Sequence, residues 1–315
     1  MLDLSLIVPV FNEEAVLPEF ARVVTETLAP TGLNYEIIFV NDGSSDGTAR
    51  FLESLVQSDS RVKAIEFSRN FGHQSAMTAG LRAAKGNACV IMDADLQDPP
   101  SLLIAMVEKW REGYDVVYAV RRSRDGESVF KKTTAAVFYR LLRSLAGVDI
   151  PPDTGDFRLM DRRVVDVLNA LPERNRFLRG LVSWIGFRQI GVPFDRPARA
   201  AGETKFSLWK MLRFAVDGLT AFSRVPLRLV TVAGVGAFVA SGSVLGWALW
   251  VRLYTDRSVP GWASLMGVIL LLGGTQLLAL GIIGEYLAHI FDEAKARPMY
   301  VVCSILANGG KKNGE

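Results

Sequence analysis

Five short apolar runs, at residues 4–8, 36–40, 62–67, 88–92 and 115–119, alternate with segments whose apolar residues recur three or four positions apart, at 20–28, 48–57, 75–84 and 101–112. Runs of the first kind read as strands buried on both faces, and segments of the second kind as amphipathic helices. Their alternation predicts an α/β domain, a Rossmann-like and mostly parallel sheet covered by helices and joined by right-handed crossovers. Further on, a helix is expected over 130–146, with Phe138, Leu141, Leu142 and Leu145 on one side and Lys131, Lys132, Arg140 and Arg143 on the others. Residues 206–222 mix Phe206, Trp209, Leu212, Phe214 and Leu219 with Lys210 and Arg213, the pattern of a helix lying in a membrane interface.

The pattern then changes. Residues 229–251 are about 23 positions without a charge and 258–284 about 27, each above the ~20 that cross a bilayer, so two transmembrane helices are expected. Basic residues gather before the first (Lys205, Lys210, Arg213, Arg224, Arg228) and after the second (Lys295, Arg297, Lys311, Lys312). The joining loop offsets Arg252 and Arg257 partly with Asp256, so both termini are expected on the cytoplasmic side of the cell membrane. The resulting division is 1–205 as the cytoplasmic α/β domain, 206–228 as interfacial helices, 229–290 as the two spans and 291–315 as a cytoplasmic tail. The end after Ala307 reads as a mobile terminus. Gly242 and Gly246 form a GxxxG stripe that suits close helix approach, and hence a homo-oligomer.

Composition agrees. Half of the 315 residues are hydrophobic, too many for a wholly soluble chain of this length. The net charge of +3 is small and its basic residues lie among acidic ones, which speaks against a nucleic-acid partner. The first ten residues carry Asp3 and Pro9 and no basic stretch, so they read as a strand rather than a signal peptide. Cys89 and Cys303 fit no disulfide or zinc pattern.

The chemistry concentrates at strand ends. Asp93-Ala94-Asp95-Leu96-Gln97 follows the fourth apolar run, so two carboxylates leave one strand end together. Such a pair suits a divalent cation bridged to a diphosphate, although a strand end and turn would use the same residues. The first run ends in Pro9-Val10-Phe11-Asn12-Glu13-Glu14 and the second in Asn41-Asp42-Gly43-Ser44-Ser45-Asp46. Asp42 can accept hydrogen bonds from a base or ribose and Phe11 can offer a ring face, while Asp46 suits a helix cap. Arg121 and Arg122, beyond the fifth run, suit phosphate. His73 and His289 have no Ser, Cys or metal-ligand partner in the pattern, and His73 is expected to order the loop after the third strand.

Taken together, Pro9 to Glu14, Asp42 to Asp46, Asp93 to Gln97 and Gly155-Asp156-Phe157-Arg158-Leu159 resemble the family-2 glycosyltransferases of the GT-A fold. Arg69-Asn70-Phe71-Gly72-His73-Gln74, Asp98-Pro99-Pro100, Gly202-Glu203-Thr204-Lys205-Phe206-Ser207 and the two apolar segments are similar to its polyisoprenyl-phosphate branch. That branch includes dolichol-phosphate mannose synthases and undecaprenyl-phosphate glucosyltransferases. The resemblance implies that Pro9, Phe11, Glu13, Asp42 and Asp93 contact the nucleotide and that Asp93, Asp95 and Gln97 hold Mg²⁺ or Mn²⁺. It puts Asp156 and Asp95 at the reacting centre, and leaves Arg121, Arg122, Arg158 and Lys205 as grips for an anionic acceptor. A simpler role is also open to Asp156, as the cap of a helix near Arg162.

The implied reaction is an inverting transfer of one hexose from a nucleotide diphosphate sugar to polyprenyl phosphate. UDP-glucose with undecaprenyl phosphate leads, with GDP-mannose and UDP-aminosugars as rival donors. A processive polysaccharide synthase shares the core but would carry Gln-x-x-Arg-Trp, which this chain lacks. A non-catalytic membrane scaffold is the third class, and the complete acidic set argues against it.

Overall fold

The computed structural model describes residues 2–122, 154–174, 176–195, 225–254, 261–308 and 310–313. Nine strands, β1 (Leu4–Val10), β2 (Tyr35–Asn41), β3 (Val62–Phe67), β4 (Ala88–Ile91), β5 (Val116–Arg121), β6 (Thr154–Asp161), β7 (Gln189–Phe194), β8 (Val302–Ala307) and β9 (Gly310–Asn313), form one sheet. Their order is β7-β5-β6-β4-β1-β2-β3-β8-β9. Packed with it are α1 (Leu17–Leu28), α2 (Thr48–Ser58), α3 (His73–Ala83), α4 (Leu102–Arg111), α5 (Arg162–Ala170) and α6 (Leu178–Ile185). Every residue of β1 and β2 is buried, the pattern of strands covered on both faces. On α1, Leu17, Phe20, Val24 and Leu28 keep helical spacing and are buried, with the Phe20 ring edge-on to Phe39 at 6.2 Å.

The five expected strands and four expected helices are present. The expected mostly parallel sheet is not: β4, β1, β2 and β3 are parallel neighbours and β5 is parallel to β7, but β6 opposes both β4 and β5, and β8 opposes both β3 and β9. Residues 154–161 carry Asp156, Arg158 and Asp161, so no apolar run announces β6. The reversal brings the start of β6 to the end of the sheet where β4 and β5 finish. The expected mobile terminus also gives way, because β8 and β9 extend the sheet edge, with Ser68 N–H donating to Val301 O at 3.0 Å and Ser304 Oγ to Glu66 at 2.6 Å.

At the opposite end, β1 to β3 are pinned by a buried acid. Glu36 accepts from Ser5 Oγ at 2.6 Å, Lys63 Nζ at 2.6 Å and Lys85 N–H at 2.8 Å. Burial pushes the Glu36 carboxyl up, but these donors together outweigh it and hold its pKa below the usual glutamate value. Stability from this cluster is therefore full above the unfolded value, near 4.5, and is lost as pH falls below it. Glu36→Gln is expected to destabilise the sheet by roughly 2 kcal/mol at neutral pH. In denaturant melts the gap to wild type should close between about pH 5 and pH 3; a gap that stays constant would contradict this ionic account.

The remaining described helices, α7 (Val225–Tyr254) and α8 (Trp262–Lys295), form a separate unit. Both bear exposed apolar side chains all around, including Phe238 and Val232 on α7 and Leu271 and Leu277 on α8. Of the two expected spans, one, Leu271–Lys295, meets the length and apolarity of a membrane crossing among the described residues; in α7 the apolar stretch is the shorter Leu229–Val244. A Cβ built on Gly242 or Gly246 meets nothing within 4 Å, so that stripe is not covered by this chain's described residues. The helices expected over 130–146 and 206–222 lie outside the described residues.

Candidate active site

The sheet divides at β1, which bonds β2 on one side and β4 on the other, so the segments leaving their C-terminal ends diverge around a crevice. Pro9 helps to open it. Ile7 accepts from Met92 N–H on the β4 side and Val10 accepts from Asp42 N–H on the β2 side, so Pro9, in step with Ile7, aims its missing donor where β4 has already ended. The cavity there is about 400 Å³ and is lined by Pro9, Phe11, Glu13, Asp42, Asp93 and Asp95, together with Asn70, Gly72 and His73.

The loops after β1 and β2 lace together. Asn12 N–H donates to Ser44 Oγ at 2.9 Å, Ser45 N–H to Asn12 Oδ1 at 2.8 Å, Glu13 N–H to Thr48 Oγ1 at 3.0 Å and Gly47 N–H to Glu14 at 2.9 Å. Asp46 takes the Thr48 N–H at 3.0 Å, but from one residue before the cap expected of it: Gly47 holds the N-cap position of α2 and makes no side-chain cap bond. Much of both motifs is thus framework, while Phe11, 45% exposed, lines the cavity.

Asp42 is buried and committed. Its two oxygens accept the N–H groups of Phe71 at 2.7 Å and Gly72 at 2.9 Å, so it shapes the 68–72 loop as well as lining the cavity. Burial raises its pKa, and those two N–H groups work against the rise. Gly43, at φ +69°, lets the backbone of Arg69 pass where a Cβ would collide.

Across the crevice, the β4 to β6 register pairs Ile91 with Arg158, so two residues on it sets Asp93 level with Asp156. His73 Nε2, at the first position of α3, lies 3.4 Å from Asp93 and 3.7 Å from Asp156. Arg179, one position into α6, grips Asp156 through two bonds of 2.7 Å each. Burial would push the Asp156 carboxyl up, but Arg179 and then His73 overcome it and hold the group far below the usual carboxylate range. Asp156 therefore stays charged at neutral pH and is a poor proton acceptor. It caps no helix: Asp161 does, accepting from Arg163 N–H at the start of α5.

Asp93 behaves oppositely. Burial raises its pKa, with the Asp156 and Asp95 carboxylates adding to the rise and His73 opposing it. Its Oδ1 is shielded from solvent and accepts no hydrogen bond. A shielded carboxylate oxygen beside other carboxylates is a fit for a divalent cation. Gln97 enters through its backbone, whose N–H bonds Asp95 Oδ1 at 3.1 Å; its side chain is buried and is not among the lining residues. No group of three or more His, Cys, Asp or Glu side chains suited to a metal occurs among the described residues, so oxygens from a ligand would have to complete the shell.

Of the acceptor candidates, Arg158 is buried beside the site, its Nη2 donating to Gly155 O at 3.0 Å, and burial pushes its pKa down to about 10. Arg121 ends β5, its Nη2 3.7 Å from where a Cβ on Gly155 would sit. Arg122 is turned to Asp195 at 3.4 Å, both side chains largely exposed, which fits a solvated pair better than a buried grip. Lys205 lies outside the described residues. Sequence reasoning missed Arg179 and gave His73 only a loop role. Arg179 sits in a short amphipathic segment where nothing in the periodicity separates it from a solvated charge, and only the pairing of β6 beside β4 brings it to Asp156.

Residues 5–168 match the family described as Glycosyl transferase family 2. Glycosyltransferase YkcC of Bacillus subtilis is 53% identical over 95% of this chain and 92% of its own length. A bactoprenol glucosyl transferase of Shigella phage SfV is 42% identical over 96% of this chain and 98% of its own. Among solved structures, the mannosyltransferase PcManGT of Pyrobaculum calidifontis, in complex with GDP-Man and Mn²⁺, shares the fold with TM-score 0.51 at 19% identity, covering 93% of this chain and 86% of that one.

Proposed function

We infer, from the premise that this chain belongs to glycosyl transferase family 2, that it moves one glucose from a nucleotide diphosphate sugar, UDP-glucose first, to a polyprenyl phosphate at the cytoplasmic membrane face. The observation that carries this reading is that Asp93, at the end of β4, and Asp156, at the start of β6, meet within 4 Å of one His73 nitrogen at a cavity flanked by Phe11 and Asp42. Support for the sugar and the carrier comes from the relative named bactoprenol glucosyl transferase, which aligns over nearly the whole chain.

In this reading Phe11 and Asp42 bound the nucleotide end, and Asp93 and Asp95, with the Gln97 backbone bracing Asp95, hold Mg²⁺ or Mn²⁺. When bound, that cation neutralises charge on the departing nucleoside diphosphate. A lipid phosphate oxygen forms the new bond to the anomeric carbon as the bond to the diphosphate breaks on the opposite face, which inverts the centre. The acceptor's second pKa is near ~6, so most of it is dianionic at neutral pH and no general base is needed. Asp156, kept charged by Arg179, orients the sugar and stabilises positive charge on the ring, while Arg158 and Arg121, with Lys205 beyond the described residues, steady the lipid phosphate.

The reading includes two membrane crossings, by α7 and α8, and chain connectivity supports it. β8 joins the sheet that holds β1 to β3, so the chain must end the helical unit on the side where it began. One crossing cannot do this and two can; at about 1.5 Å per residue, α7 and α8 are each long enough.

The test is to incubate detergent-purified protein with undecaprenyl phosphate, Mg²⁺ or Mn²⁺ and a panel of UDP- and GDP-sugars, and to weigh the lipid product. A lipid carrying one hexose from UDP-glucose is expected. A product from GDP-mannose alone overturns the donor, a polymer overturns single transfer, and no product with any donor overturns the catalytic reading.

A further inference from the structure

The segment that follows α8 does more than extend the sheet edge. The Tyr300 ring lies flat on Phe67, centroids 5.0 Å apart and planes 10° apart, and Phe67 takes the edge of Phe71 at 5.8 Å. Arg82, in the last turn of α3, stands 5.9 Å above the Tyr300 ring, and Arg69 stands 4.0 Å above Phe71. Arg174 donates to the Arg297 carbonyl at the start of the same segment. These contacts surround one object, the 68–72 loop between β3 and α3. Its Phe71 and Gly72 N–H groups bind Asp42, and its Asn70 and Gly72 line the cavity.

We infer that Tyr300 is a positioning residue for the nucleotide end of this cavity: stacked on Phe67, it backs Phe71 and so holds the 68–72 loop onto Asp42. The inference rests on the nucleotide reading of the site given above. Asp42 supplies two acceptors, but two backbone bonds do not by themselves fix a five-residue loop against fraying; the stacked ring braces Phe67, against which Phe71 packs. Removal of the ring leaves the Ser68 to Val301 backbone bond and the β3 to β8 ladder in place, so the effect should stay local.

The experiment uses full-length protein in detergent as wild type, Tyr300→Ala and Tyr300→Phe. In Tyr300→Ala the amides of Phe71 and Gly72 should exchange with deuterium about tenfold faster while those of β1 and β4 do not change. The dissociation constants of UDP and GDP, measured with Mn²⁺, should rise about tenfold. The KM for lipid should not move, and Tyr300→Phe, which keeps the stack, should behave as wild type. Unchanged exchange at 71 and 72 beside normal nucleotide binding overturns the inference alone, as does a Tyr300→Phe protein as impaired as Tyr300→Ala. Wild-type protein that binds neither nucleotide overturns the nucleotide reading, and the inference with it.

Discussion

Asp95→Asn is expected to lower glycolipid formation by about a thousandfold or more, because in the proposed reaction it removes one of the two carboxylates available to a cation at the end of β4. Asp93 cannot compensate. Its Oδ1 is already shielded, and burial and neighbouring carboxylates already disfavour its charge, so a cation held by Asp93 alone loses affinity as well as geometry. Asp95 is only partly buried and its Oδ1 braces the Gln97 N–H, a contact that the Asn side chain oxygen can reproduce, so the fold should not suffer. Two measurements check this. Mn²⁺ binding, followed by its paramagnetic resonance in the presence of UDP, should be lost in the variant, while the thermal midpoint and detergent-extracted yield stay at wild-type values. Full turnover by Asp95→Asn with Mg²⁺ or Mn²⁺ would remove the metal assignment.

The second large effect belongs to the Asp156 and Arg179 pair. Asp156→Asn is expected to lower kcat by about a hundredfold to a thousandfold with little change in the KM for donor, since in the proposed reaction the carboxylate acts on the reacting sugar. Arg179→Ala should cost a similar factor for a different reason. Without the guanidinium, His73 is the group left to oppose burial, so the Asp156 carboxyl moves up from its far-lowered position. The acid limb of the kcat profile should accordingly move to higher pH in Arg179→Ala, whereas in wild type it follows the acceptor phosphate, near about pH 6. The double variant discriminates. If Arg179 works through Asp156, Asp156→Asn with Arg179→Ala loses little more than either single change; losses that multiply would mean that Arg179 acts independently.

Local pattern determined a good deal of this protein. The runs that became β1 to β5 and the amphipathic stretches that became α1 to α4 are legible because one face or both must leave water, and that requirement writes a period into the residues. The motif ends were legible for a related reason: parallel strands finish at one edge, so Phe11, Asp42, Asp93 and Asp95 had to border a common crevice, and they line the same cavity. Pairing between distant segments leaves no such period. β6 is a charged strand whose reversal next to β4 sets Asp156 level with Asp93, and β8 reaches β3 from more than 230 residues away, as the Ser304 to Glu66 bond shows. Arg179 and Tyr300 depend wholly on those pairings. Which carboxylate is held charged by Arg179 and which loop meets Asp42 were decided only by the tertiary structure, because burial and opposite charge act through space and not along the chain.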